Sequence, residues 1–317
     1  MNRRTFAVIA AALAATHVGA QDVSPPAAAS VPAKREAPQS QPDEVIVRGR
    51  RMSEIDLELR KFVLEFVDKV AAPAAGRGYA RWNRRVCVGV HNLQKDAAQY
   101  LVDRISLQAE DVGLEAGEPG CQPDVIIIFT TDAQKLAAYL VKHNKRLFLP
   151  LMGIGGTALN RDALDRFATE DRPVRWWAVS MPVAATTGQS ALGDASTGNG
   201  SPAVNVEGPS RIHSGTRDDL QRVIVIVDGS KLHGTTWQQL ADYLAVVSLA
   251  QIDRETNPAA FDSILNLFTN PAAYSGLTDW DRSYIRALYA YDPERTPFIQ
   301  KMDLVNQMAH QEQDKNQ

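Results

Sequence analysis

Two short apolar stretches, each opened by a cysteine, constrain this chain most. Val86-Cys87-Val88-Gly89-Val90 reads as a strand, and Cys121-Gln122-Pro123-Asp124 leads into a second strand, Val125–Phe129. A helix-length segment separates them, with Ala97, Leu101 and Ile105 on one face over 94–111. The unit is therefore β-α-β with parallel strands, and it brings both cysteines to the same end of the sheet. Cys87 and Cys121 are the only cysteines in the 317 residues. In an oxidising compartment they pair; the alternative is two unpaired buried thiols.

The amino terminus bears on the compartment. Met1-Asn2-Arg3-Arg4-Thr5-Phe6 is a basic start, Phe6 to Val18 is apolar, and Val18-Gly19-Ala20 is a small-residue cleavage site before Gln21. This three-part pattern predicts a signal peptide over 1–20 and a periplasmic or secreted mature protein. The general secretory route is the default; Arg3-Arg4 also fits the twin-arginine route. The apolar run is too short for a span, which needs about 20 residues, so no membrane span is expected in the mature chain. Losing Arg3 and Arg4 would move the formal charge from −3 to −5. That acidity argues against nucleic acid as a partner. Residues 21–43 are rich in Pro, Ala, Ser and Gln and cannot bury enough apolar surface to order themselves. They are expected to be a flexible linker, followed by a single domain over 44–311 and a polar tail over 312–317.

Periodicity gives the remaining elements. Glu44–Arg48 is a strand candidate, and 53–70 an amphipathic helix capped by Ser53. Helices are expected over 132–143, 236–250, 277–291 (N-cap Thr278) and 298–310. Val174–Val179 is a strand sending Trp176 and Trp177 to opposite faces. Val223–Val227 is wholly apolar and belongs in the middle of the sheet. Residues 185–209, rich in Gly, Ser, Thr and Ala, read as a surface loop or hairpin tip. The class is α+β: a mixed sheet of four to six strands with a β-α-β start, covered by helices, with a helical C-terminal part.

Motifs with a known mechanism are missing. None of the six histidines stands in the zinc-protease helix pattern, and the cysteines are not at zinc spacing. Gly188-Gln189-Ser190-Ala191-Leu192 breaks the nucleophile-elbow pattern at its last position. Gly153-Ile154-Gly155-Gly156 is too short for a dinucleotide fingerprint. No metal site and no cofactor are expected. Three constellations remain. Parallel strands would present His91 and Asn92, Thr131 and Asp132, then Asp228, Ser230 and His233 at their C-terminal ends, where ligands of open α/β sheets bind. His91, Asp132, Asp228 and His233 could there do acid-base work; the alternative is that the aspartates cap helices and turns. Arg77, Tyr79, Arg81, Trp82, Arg84 and Arg85 fall within nine residues, in a stretch (44–85) with ten Lys/Arg against six Asp/Glu. They could bind an anionic envelope component, or form a solvated loop with Trp82 packed on the sheet. Asp279-Trp280-Asp281-Arg282 could hold a cation, but its carboxylates suit the first turn of a helix better, with Asp281 pairing Arg282 or Arg286.

Some of these residues carry a resemblance. Arg81-Trp82, Val86-Cys87-Val88-Gly89, Cys121-Gln122-Pro123-Asp124 with Phe129-Thr130-Thr131-Asp132, Gln239-Leu240-Ala241-Asp242-Tyr243, and Leu277-Thr278-Asp279-Trp280-Asp281 with Ile285-Arg286-Ala287-Leu288-Tyr289 resemble an uncharacterised family of exported proteobacterial proteins. A more distant likeness is to zincin-like secreted domains, with their β-α-β start, metal-binding helix and late helix opened by Leu-Thr-x-x-Asp. In the place of the metal-binding helix, Trp237–Ala250 offers Gln239, Asp242 and Tyr243 and no His-Glu pair. The resemblance implies a degenerate zincin-like scaffold. The expectation is an exported, non-enzymatic binding or envelope-associated protein. The alternative is a divergent periplasmic hydrolase using His91, Asp132, Asp228 and His233.

Overall fold

The apolar run Val223–Val227 lies inside the sheet, with a strand on either side of it. The structure is a computed structural model that describes residues 43–148, 161–189, 192–193, 202–203 and 212–315. In chain order the elements are α1 (Asp43–Val70), β1 (Val88–His91), α2 (Lys95–Asp111), β2 (Val125–Thr130), α3 (Ala133–His143), α4 (Arg161–Thr169), β3 (Val174–Ala184), β4 (Leu192–Gly193), β5 (Pro202–Ala203), β6 (Thr216–Asp228), α5 (Trp237–Leu249), α6 (Asp279–Ala290) and α7 (Pro297–Asp314). The fold is α+β with a helical C-terminal part, and the compact unit spans Arg48–Gln317.

The main sheet is mixed and four-stranded, in the order β1-β2-β6-β3. β1, β2 and β6 run parallel, in register Val88↔Val125 and Val125↔Val223. β3 runs antiparallel to β6, with a register shift between Val179 and Ser180. Alternation along β3 sends the two indoles to opposite faces. Trp176 donates from Nε1 to the Ile252 carbonyl at 3.1 Å and meets Tyr243 edge-on. Trp177 donates to the Phe148 carbonyl at 3.1 Å and packs on Phe148 and Phe167. The Trp176 face carries the larger core, built with α1, α2, α5, α6 and α7. The Trp177 face carries a smaller one, built with α3 and α4. Every residue of α5 from Gln239 to Leu249 is buried, as a helix enclosed by its neighbours must be.

Cys87 and Cys121 form a disulfide with their Cα atoms 6.2 Å apart. Each precedes its strand, so the bridge joins the N-terminal ends of β1 and β2. Three sequence expectations are corrected. Glu44–Arg48 is not a strand but belongs to α1, and Ser53 therefore lies inside that helix rather than capping it. An amphipathic repeat fixes a helix's buried stripe, and here the helix runs upstream of that stripe. At the other end α7 reaches Asp314, so 312–314 is helix rather than tail. The proposed 185–209 loop lies largely outside the described residues, as do the proposed signal peptide and most of the linker.

Candidate functional site

The strand-end residues are at the C-terminal edge of the sheet, as their spacing predicts, but they are occupied separately. Asp132 caps α3, its Oδ1 accepting from the Lys135 N–H at 3.1 Å. Asp228 is buried; its Oδ1 accepts from the Ser230 N–H at 3.1 Å and the Ser230 hydroxyl at 2.6 Å, and Lys231 Nζ lies 3.8 Å from Oδ2. His91 and His233 are exposed. Among the described residues no hydrogen bond or ion pair joins any two of these four, and no three of His, Cys, Asp and Glu are grouped to hold a metal ion.

The Arg77–Arg85 stretch is not one exposed patch. Arg77 pairs with the buried Asp218, its Nε donating to Oδ1 at 2.6 Å. Arg81 is 8 % exposed; its Nη1 donates to the carbonyls of Leu288 and Tyr291 at 2.8 and 3.1 Å, and it sits over the rings of Tyr289 and Tyr291. These carbonyls close the C-terminal end of α6, where orphan acceptors and the helix dipole favour a cation. Burial holds the Arg81 guanidinium below its usual pKa and pushes the Tyr79 phenol up to about 12. Trp82 is 2 % exposed and donates from Nε1 to the Ser248 carbonyl at 2.8 Å. The physical reason is that this segment is a strap. The Arg81 N–H donates to the Asp218 carbonyl, and the Arg81 carbonyl accepts from the Leu220 N–H, stitching it along β6. Only Arg84 and Arg85 of the six are exposed.

Gln239, Asp242 and Tyr243 of α5 hold neighbouring elements. Gln239 completes a capping box with Thr236 and donates to the Pro271 carbonyl at 2.8 Å. Asp242 is fully buried and accepts both arms of Arg104, at 2.8 and 2.9 Å, and the Leu277 N–H at 3.0 Å. Tyr243 packs between Trp176 and Phe268. Asp281, in the first turn of α6, is 1 % exposed and forms a capping box with Thr278. It also accepts from the Ser263 hydroxyl at 2.6 Å and the Ile264 N–H at 2.8 Å. Asp281 pairs with neither Arg282 nor Arg286: those arginines reach Asp279 and Asp111 instead, because the Asp281 carboxylate faces inward.

A groove of about 700 Å³ runs along the outer side of β1. Among the described residues β1 has β2 on one side only. Val86 shows which way the free side points: its N–H donates to the Glu115 carbonyl and its carbonyl accepts from the Gly117 N–H, both at 2.9 Å. Strand geometry repeats every two residues, so Val88 and Val90 turn the same groups the same way. The segment 115–117 covers Val86 and then leaves, and Val88–His91 line the groove instead. The opposite wall is one stripe of α2: Gln99, Asp103, Ser106 and Glu110, at helical spacing. That stripe is outward because Leu101, Ile105 and Ala109 are buried. The end wall is the loop 116–121, tied down by the disulfide; Gly117 lies so close that an added Cβ would be 2.5 Å from the Cys121 sulfur.

The groove's chemistry is one-sided. Asp103, Glu110 and Glu118 line it with His91, and none of its lining residues among the described ones is Lys or Arg. Leu107, 58 % exposed, and Val102 give it an apolar strip. Free main-chain donors and acceptors beside a carboxylate-edged wall suit an extended polypeptide. His91 is marked by its strand-end position in the sequence, whereas the groove is signalled only by the outward stripe of α2 facing a short strand that, among the described residues, has no partner beyond it. A smaller crevice between α2, α5 and α6, of about 10 Å³, has room for about one water. Among known proteins, no family model, curated protein or solved structure matches this chain.

Proposed function

We propose that this protein is an exported, non-enzymatic binding protein that takes an extended, Lys- or Arg-bearing polypeptide segment alongside β1. The observation that carries this reading is the edge of Val88–His91, unpaired among the described residues, opening into a groove edged by Asp103, Glu110 and Glu118, with no Lys or Arg among its described lining residues. Main-chain pairing supplies affinity without demanding a sequence, and the carboxylates select for positive charge. Export is supported by the signal-like start at residues 1–20 and agrees with the Cys87–Cys121 bridge. The zincin-like likeness enters as a scaffold only, with Gln239, Asp242 and Tyr243 of α5 used to hold the fold together.

Fluorescence anisotropy with two labelled nonapeptides, alternating Lys-Val and alternating Glu-Val, tests this. The Lys-Val peptide is expected to bind with an affinity that falls as salt rises. The Glu-Val peptide is expected not to bind, and Asp103→Lys with Glu110→Lys should weaken Lys-Val binding at least tenfold. Equal binding of the two peptides, or no effect of the charge reversal, would contradict the proposal.

A further inference from the structure

At the opposite edge of the sheet, where β3 begins, four arginines converge. Arg166 and Arg172 flank the end of α4, Arg175 is the second residue of β3, and Arg254 follows α5; together with Phe167 and Glu170 they line one crevice of about 10 Å³. Arg254 is 3 % exposed. Its Nε, Nη1 and Nη2 are each buried and donate no hydrogen bond among the described residues. It lies over the Trp177 ring at 5.9 Å, and Oε1 of Glu255 is 3.8 Å from Nη2, beyond hydrogen-bond distance. A buried guanidinium without acceptors is expensive to keep, because it has lost its water and gained little in return.

Its neighbours explain where the protein's own carboxylates go. Glu255 pairs closely with Arg166, and Glu170 accepts from Arg172 Nε at 2.9 Å. Arg172 also donates to the Arg254 carbonyl, which fixes that turn. Arg175, also 3 % exposed, gives Nη1 to the Phe167 carbonyl at 3.0 Å and Nη2 to the Glu170 carbonyl at 2.5 Å, leaving Nε without an acceptor. Asp228 acts on Arg175 through space, and burial still holds both Arg175 and Arg254 below the usual guanidinium pKa. Among the described residues the four cations thus face Glu170 and Glu255, with Asp228 acting on Arg175 alone.

We propose that Arg166, Arg172, Arg175 and Arg254 form a binding site for a small oxyanion, a phosphate or carboxylate head that inserts one oxygen against Arg254. Guanidinium forks match the geometry of such groups. The crevice has room for one water-sized atom, which is one oxygen of a larger head held at the mouth. The site is separate from the β1 groove and independent of the reading given to it.

The test is thermal unfolding of the full chain at fixed ionic strength, titrated with inorganic phosphate, acetate or chloride. A ligand bound only by the folded state raises Tm in a saturable way. Phosphate or acetate is expected to raise Tm by a few degrees and saturate, while chloride has no comparable effect; which oxyanion acts tells a phosphoryl from a carboxylate source. Arg254→Met should abolish the saturable response. Arg166→Gln, whose side chain is 43 % exposed and so tolerates replacement, should weaken it several-fold even if Arg254→Met fails to fold. A drift equal for the three salts, a chloride response matching the oxyanions, or wild-type affinity in Arg166→Gln would overturn the proposal.

Discussion

Arg104 on α2 closes both arms of its guanidinium on Asp242 of α5, at 2.8 and 2.9 Å, and Asp242 has no exposed surface. Hydrogen bonding to this carboxylate raises the Arg104 pKa, so the guanidinium keeps its charge. The same Asp242 oxygen that meets Arg104 Nη2 accepts the Leu277 N–H at 3.0 Å, and it is tight against Gly276, where an added Cβ would be 2.5 Å away. One ion pair therefore fixes α2, α5 and the approach to α6.

Arg104→Ala should lower unfolding stability by about 3 kcal/mol, because it leaves a buried carboxylate without its cation. Urea denaturation measures this, and a double-mutant cycle with Asp242→Ala isolates the pair. A coupling below about 0.5 kcal/mol would show that the pair is incidental.

The bridge should contribute through the chain it closes. Cys87 and Cys121 are 34 residues apart in sequence, and a loop of that length is worth about 3–4 kcal/mol by the loop-closure argument. Peptide mapping without reductant should recover Cys87 joined to Cys121, and Cys87→Ala should lower stability by about 2–5 kcal/mol. Two free thiols in protein purified from an oxidising compartment would be inconsistent with the fold.

Asp281 gives a pH dependence. Burial raises its pKa above 3.8 despite the bonds from Ser263, Ile264 and Thr278 that favour the carboxylate. A carboxyl whose folded pKa is raised contributes stability that is present below the unfolded pKa and lost as pH rises through the folded one. Asp281→Asn keeps one acceptor oxygen, for the Ile264 and Thr278 N–H donors, and cannot ionise. Its stability relative to wild type should therefore improve between pH 4 and pH 7, and a relative loss over that range in urea titrations would contradict the sign.

The fold was legible where one constraint acted on many residues. Val223–Val227 has no polar side chain to give to solvent, so an inner strand was the only place for it. The spacing of Cys87 and Cys121 with their strands implied parallel neighbours. Thr278 marked the start of α6, whereas the inward turn of Asp281 into a capping box, away from Arg282 and Arg286, needed the structure. The Arg77–Arg85 stretch misled because composition shows charge but not the partner that neutralises it: Asp218 lies far along the chain, and the acceptors for Arg81 are main-chain carbonyls that no sequence pattern marks. Glu44–Arg48 misled because β-branched residues at strand spacing are compatible with a helix continuing from a strong amphipathic repeat. The β1 groove needed the sheet order, and Arg254 needed tertiary packing; a lone arginine in a loop carries no signal of burial.

The most direct measurement on the central reading is amide hydrogen exchange across β1, with and without the alternating Lys-Val nonapeptide. The Val88 and Val90 N–H groups point to the free edge and should exchange readily in the free protein, then slow at least tenfold when the peptide pairs with them. Gly89 and His91, facing β2, should change little. Unchanged exchange at Val88 and Val90 under saturating peptide, or protection appearing at another surface, would contradict strand addition at this groove.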